Sequence, residues 1–179
     1  MGGHSSGGMF PGTSGSNLGR ELLLKEPNAN SRKNGSPKSP TAAPGLRAHV
    51  EKGSGVGRDG ISGCHQKDNF ERILGEAGGK ITESREIPGI EGIEIVHYAL
   101  PKKDREGKPT GEFKSKQYQK SVYDPSKIST DEYIRRGLEA ASNPTSVQGR
   151  KWTGLDSNNV KWSGYMNDAD EITSLYPVE

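Results

Sequence analysis

Apolar positions in this chain fall in short rhythmic groups separated by long polar stretches. Phe70, Ile73, Leu74 and Ala77 recur at helical spacing before Gly78-Gly79, which predicts a short amphipathic helix over 67–77. Residues 80–87 and 92–100 follow with strand character. In the second of these, Ile93, Ile95, His97 and Ala99 share one face and Val96, Tyr98 and Leu100 the other, the pattern of a strand covered on both sides. Residues 102–116 are polar and rich in Gly, Pro and Lys, an exposed loop before a strand at 117–123.

Ile128-Ser129-Thr130-Asp131-Glu132-Tyr133 carries the signature of a helix start: Ser129 caps, Glu132 reaches back, and Ile128 packs on Tyr133. Asn143-Pro144 ends that helix. Three strands are then expected at 151–155, 160–166 and 171–178, joined by the turns Asp156-Ser157-Asn158-Asn159 and Asn167-Asp168-Ala169-Asp170. The order is that of an α+β domain, with two helices packed on an antiparallel sheet.

Composition divides the chain. Of its 179 residues only 28% are hydrophobic, too few for packing from end to end. Residues 1–64 hold 14 of the 25 glycines and a single aromatic, Phe10, whereas 65–179 hold the other ten aromatics. This predicts a flexible Gly/Pro/Ser-rich linker over 1–62 and a folded domain over 63–179. Charge divides similarly, with eight basic and four acidic residues in 1–60 against 17 and 19 in 61–179.

No apolar run of about 18 residues is present, so no membrane insertion is expected. The start of the chain lacks the apolar core of a classical signal peptide, so any export needs a specialised route. One cysteine, Cys64, excludes an internal disulfide and a multi-cysteine zinc site, and its neighbour His65 does not make it a thiol-protease nucleophile. No metal site and no cofactor is expected.

His65 and His97 are the histidines of the expected domain, with His4 and His49 assigned to the linker. His65, on a Gly-rich turn, is read as exposed. His97 lies mid-strand, where a structural role is common. Cleavage of RNA by its own 2′-hydroxyl needs a base, an acid and a donor to the phosphorane, which His, Lys, Ser and Tyr can supply without metal. Ser174 and Tyr176, two apart on a strand, point to one face and can hold a phosphate while stacking on a base. Alternatively, Tyr176 packs in the core and Ser174 faces water. The segment 102–127, with eight basic and four acidic residues, is the most basic part of the domain.

Gly63-Cys64-His65-Gln66, Ser121-Val122-Tyr123-Asp124-Pro125, and the ending Trp152, Gly154, Val160, Gly164-Tyr165 and Ile172-Thr173-Ser174-Leu175-Tyr176-Pro177 together resemble the bacterial EndoU-like ribonucleases. These are C-terminal toxin domains of polymorphic and contact-dependent inhibition systems. The resemblance implies a barnase/EndoU/colicin-nuclease-like fold and a metal-independent endoribonuclease that leaves a 2′,3′-cyclic phosphate. It also implies delivery into the cytoplasm of a target cell and a cognate immunity protein. His65, Ser174 and Tyr176 match its catalytic positions. The catalytic lysine has no motif match; Lys120 and Lys116 are the candidates from their place on the basic strand, and Lys116, Thr173 and Tyr123 are candidate substrate contacts. The family pattern places a second histidine about 15 residues after the first, where this chain has Lys80 and Thr82; either His97 supplies that imidazole or one histidine works with a lysine. A transfer-RNA-specific nuclease of related fold and a non-catalytic RNA- or protein-binding module are the alternatives. Metal-dependent DNA cleavage lacks a His-Asn-His arrangement, and Asp68, Asp131 and Asp156 lie where capping or turn formation explains them.

Overall fold

A computed structural model describes residues 39–179, of which Ser39–Glu179 form one compact unit. Its elements run β1 (Thr41–Ala42), α1 (Leu46–Glu51), β2 (Gly55–Gly57), β3 (Gly60–Ser62), α2 (Lys67–Glu76), β4 (Lys80–Glu86), β5 (Ile93–Ala99), β6 (Pro101–Lys103), β7 (Pro109–Phe113), β8 (Tyr118–Tyr123), α3 (Thr130–Ser142), β9 (Pro144–Gln148), β10 (Lys151–Leu155), β11 (Lys161–Met166) and β12 (Glu171–Pro177). Strands predominate, with three helices among the described residues. None of these helices is long and apolar enough to cross a membrane.

Five strands form one sheet in the order β1-β12-β11-β10-β9, antiparallel except that β1 lies parallel to β12. A second sheet, β4-β5-β8, is antiparallel, and β2–β3 and β6–β7 are separate hairpins. Helix α3 lies against β10, β11 and β12. Two apolar clusters result. The larger joins Leu46 and Val50 of α1, Ile93 and Ile95 of β5, Tyr123, Tyr133, Trp152, Trp162 and Leu175. The other joins Phe70 and Leu74 of α2 to Val96, Tyr98, Tyr118 and Val122. Strand β5 thus feeds both clusters from its two faces, as its alternating apolar residues require.

The helix starting at Ser129 is as expected: its Oγ accepts the amide of Glu132 at 3.1 Å, and Asn143 ends it. Glu132, however, turns to Arg135 at 2.8 Å rather than back to the cap, because the guanidinium offers a charged bidentate partner. Asp156 fills the turn role foreseen for it. One oxygen accepts the amides of Asn158 and Val160, and the other accepts Trp162 Nε1 at 3.0 Å and Arg136 Nε at 3.1 Å.

Three expectations are corrected. Residues 41–62 are a strand, a helix and a hairpin rather than linker, so there are three helices and not two; residues 1–38 lie outside the described part. Of the described glycines in and beside this segment, Gly53, Gly60 and Gly63 serve close backbone approach. At Gly63 (φ 62°) a Cβ would stand 2.4 Å from the His49 carbonyl, which no side-chain-bearing residue could accept. Residues 102–116 include the hairpin β6–β7, its turn built by Asp104 Oδ1 accepting two amides at 2.9 Å. Strand β9 starts directly after Asn143, where no strand was expected before residue 151, and pairs with β10 across the Gly149 turn.

Candidate active site

The turn after β3 is held from two sides. The Cys64 amide donates to His49 O at 2.8 Å, the His65 amide to Val50 O at 2.6 Å, and the Tyr123 amide to His65 O at 2.7 Å. Between α1 and β8 the chain bends sharply enough to put Cys64, a non-glycine, at φ 59°. Such strain persists where surrounding structure over-determines the backbone, often beside a reactive group. The result is a fixed position for His65.

Its ring is buried, at 5% exposure, contrary to the exposed histidine expected from the Gly-rich turn. Two tyrosines cover it: Tyr176 with centroids 5.9 Å apart and Tyr133 at 6.1 Å. Nδ1 stands 2.7 Å from the Ser121 carbonyl, which can only accept, so Nδ1 carries the proton. In the neutral ring Nε2 is then an acceptor. Burial, and secondly the Lys120 charge, push the His65 pKa well below the usual histidine value, so the ring is neutral at pH 7.

Lys120, also nearly buried, donates from Nζ to the Gly63 carbonyl. Desolvation lowers its pKa to about 8, so it is mostly an ammonium at pH 7. A buried cation next to a low-pKa imidazole is an arrangement that stability alone does not favour.

Both line a cavity of about 1140 Å³, together with Ser174, Tyr176, Thr173 and His49. The register of β12 against β11 jumps from Ser174↔Tyr165 to Ile172↔Met166, leaving Thr173 as a bulge. Consecutive strand residues ordinarily point apart. The bulge accounts for Thr173 and Ser174 both reaching the cavity. Thr173 Oγ1 donates to Tyr165 O at 3.2 Å, whereas Ser174 Oγ is buried without a hydrogen-bond partner. An unpaired buried hydroxyl costs about 1–3 kcal/mol, which a bound polar group would recover.

His49 escaped the sequence reading because it was assigned to linker. It lies in the last turn of α1, and burial, then Lys120, lowers its pKa. Two signals pointed to it: Leu46, His49 and Val50 have helical spacing, and His49 precedes His65 by sixteen residues, close to the histidine spacing that the resemblance implies. Arg58 and Asp59 at the tip of the β2–β3 hairpin, and Glu179, also line the cavity and were not foreseen.

Three sequence candidates are not brought to the cavity. His97 lies outside its lining, with Nδ1 3.6 Å from Glu83 Oε2, too far for a hydrogen bond. Tyr123 is fully buried core, stacked on Tyr133 at 4.6 Å with its hydroxyl 2.6 Å from Thr130 Oγ1. Lys116 pairs with Asp59 at 3.2 Å and covers the Tyr118 ring at 4.9 Å, beside the cavity rather than in it.

No family model matches this chain. Over 89 residues, 48% of this chain, it is 42% identical to a protein of Escherichia coli (strain STEC_O31) named tRNA nuclease CdiA. Over 83 residues, 46% of this chain, it is 36% identical to a protein of the same name from Yersinia mollaretii. The matched stretch is 3% of the length of each of these proteins.

Proposed function

We propose that the chain carries the nuclease domain of a contact-dependent growth inhibition toxin, an endoribonuclease that cuts transfer RNA by attack of the RNA's own 2′-hydroxyl. The similarity to two proteins named tRNA nuclease CdiA supports the substrate class. The observation that carries the chemistry is the meeting of His49, His65, Lys120, Ser174 and Tyr176, from distant parts of the sequence, around one cavity.

In this reading neutral His65, its Nδ1 proton held by the Ser121 carbonyl, accepts the 2′-hydroxyl proton at Nε2. The 2′-oxygen attacks phosphorus and the bond to the 5′-oxygen breaks. His49, less buried than His65 and raised toward protonation by a bound phosphate, donates the proton that the leaving oxygen takes. The Lys120 ammonium, in low dielectric, balances the phosphorane charge. Ser174 Oγ bonds the phosphate or base, and Tyr176 supplies an aromatic surface for base or ribose. The products are a 2′,3′-cyclic phosphate and a 5′-hydroxyl. On this reading the domain is of the barnase/EndoU/colicin-nuclease type, delivered into a target-cell cytoplasm and neutralised by a cognate immunity protein in the producing cell.

The test incubates the purified protein, with EDTA present, with total cellular RNA and separately with plasmid DNA. Transfer RNA fragments ending in a 2′,3′-cyclic phosphate are expected. Intact RNA from protein shown to be folded would overturn the nuclease and leave a binding module.

A further inference from the structure

Beside the cleavage cavity runs a smaller groove of about 330 Å³ that the mechanism does not use. Its apolar floor includes Val56, Leu100 and Pro101, and its charged residues are Lys102, Lys103 and Lys114, with no carboxylate in the lining. Gly57 lines both groove and cavity, so the two adjoin around the β2–β3 hairpin, whose tip residue Arg58 faces the cavity side.

The lysines stand on a fixed frame. Lys114 donates its amide to Leu100 O at 2.8 Å, and β6 pairs with β7 across the Asp104 turn. Lys102 lies 3.7 Å from Glu112, whereas Lys103 and Lys114 make no ion pair among the described residues. Lysine stems can cover an apolar floor while their ammonium groups stay in water, where they present a row of cations to a polyanion. The cavity, about 1140 Å³, is little larger than a small-ligand site of about 300–1,000 Å³. A folded RNA with one linkage in it must extend over the neighbouring surface.

We propose that this groove is an exosite that grips the backbone of a folded RNA beyond the cleaved link, with Lys103 and Lys114 as its phosphate contacts. The proposal rests on the nuclease reading above. Contiguity with the cavity and a lining without carboxylates favour a nucleic-acid backbone over a protein surface.

The test compares the chain with its Lys103→Ala/Lys114→Ala variant on transfer RNA and on a short single-stranded RNA. On transfer RNA, kcat/KM should fall roughly tenfold at physiological salt, through KM. The salt dependence of binding should become shallower by about 1.5 in log–log slope, the share of two phosphate contacts. Cleavage of the short RNA should not change, and Lys103→Arg/Lys114→Arg should restore transfer RNA cleavage. Equal loss on both substrates, or no loss on transfer RNA, would overturn the exosite. If the parent chain cleaves neither RNA, the nuclease reading fails, and the salt slope of transfer RNA binding by the same variants decides the exosite separately.

Discussion

The rings of His65 and Tyr176 lie parallel, 9° apart in plane and 5.9 Å between centroids, so the proposed base and the aromatic surface beside it orient one another. Such a pair contributes about 0.5–1.5 kcal/mol beyond area burial. Tyr176→Phe keeps the ring and should retain most of the stability. Tyr176→Ala should lose at least tenfold in kcat/KM on transfer RNA and lower the thermal midpoint, and a fully active Tyr176→Ala protein would remove Tyr176 from the site.

His65→Ala should abolish cleavage, yet it opens space under two tyrosines and is expected to cost about 1–3 kcal/mol in denaturant unfolding. His65→Asn separates the two effects. Its amide can still donate to the Ser121 carbonyl while offering nothing at the Nε2 position. It should fold with nearly parental stability and lose on the order of 10²-fold or more in rate, the contribution of a positioned base.

His49→Ala and His97→Ala should behave oppositely. The first removes a cavity-lining imidazole and should cost on the order of 10²-fold in rate. The second, outside the cavity, should leave single-turnover cleavage within about threefold of the parent. Equal losses would mean that His97 reaches the substrate.

Ser174→Ala deletes a buried hydroxyl with no partner. Unfolding should show unchanged or slightly higher stability, by up to about 1 kcal/mol, because no hydrogen bond is lost. Cleavage should fall. Stability and activity moving in opposite directions is the outcome that a purely structural serine would not give.

Lys120 sets a pH window. Its folded pKa, about 8, lies below the ordinary 10.5, so the charge opposes folding in full below pH 8 and this cost fades as pH rises through 8 to 10.5. The difference corresponds to roughly 3 kcal/mol. Lys120→Met should therefore unfold at higher urea than the parent at pH 7, with the gap closing by pH 10.5, and should be inactive throughout. In the parent, cleavage should decline above about pH 8 as the ammonium is lost. On the acid side the unfolded chain takes up a proton that buried His65 refuses, so stability falls as pH drops below about 6.5.

Periodicity sufficed for α2, β5, β8, α3 and the β10–β12 meander, because each buries one or two regular faces. It failed over 41–62. There Leu46 and Val50 are the only buried apolar residues of a six-residue helix, and closely spaced glycines that permit tight turns look compositionally like a linker. His49 was lost with that segment. For Ser174, two-residue spacing on a strand indicated a shared direction with Tyr176, and the structure brings both to the cavity. The reach of Thr173 depends on a bulge, which no alternation pattern contains. Tyr123 was misjudged because an aromatic in a resembling motif is equally at home in a core, and only the packing of β8 on α3 decides which.

Strand β12 is the last strand of the unit, yet it pairs with β1, its first, and packs against α1, which carries His49. During synthesis the imidazoles and the lysine emerge well before Ser174 and Tyr176. Before β12 is made, α1 can pack on α3 and the second sheet on α2, but the cavity lacks the wall that β12 supplies. On the nuclease reading, a chain that ends before β12 lacks Ser174 and Tyr176, and the cavity is complete only with that strand.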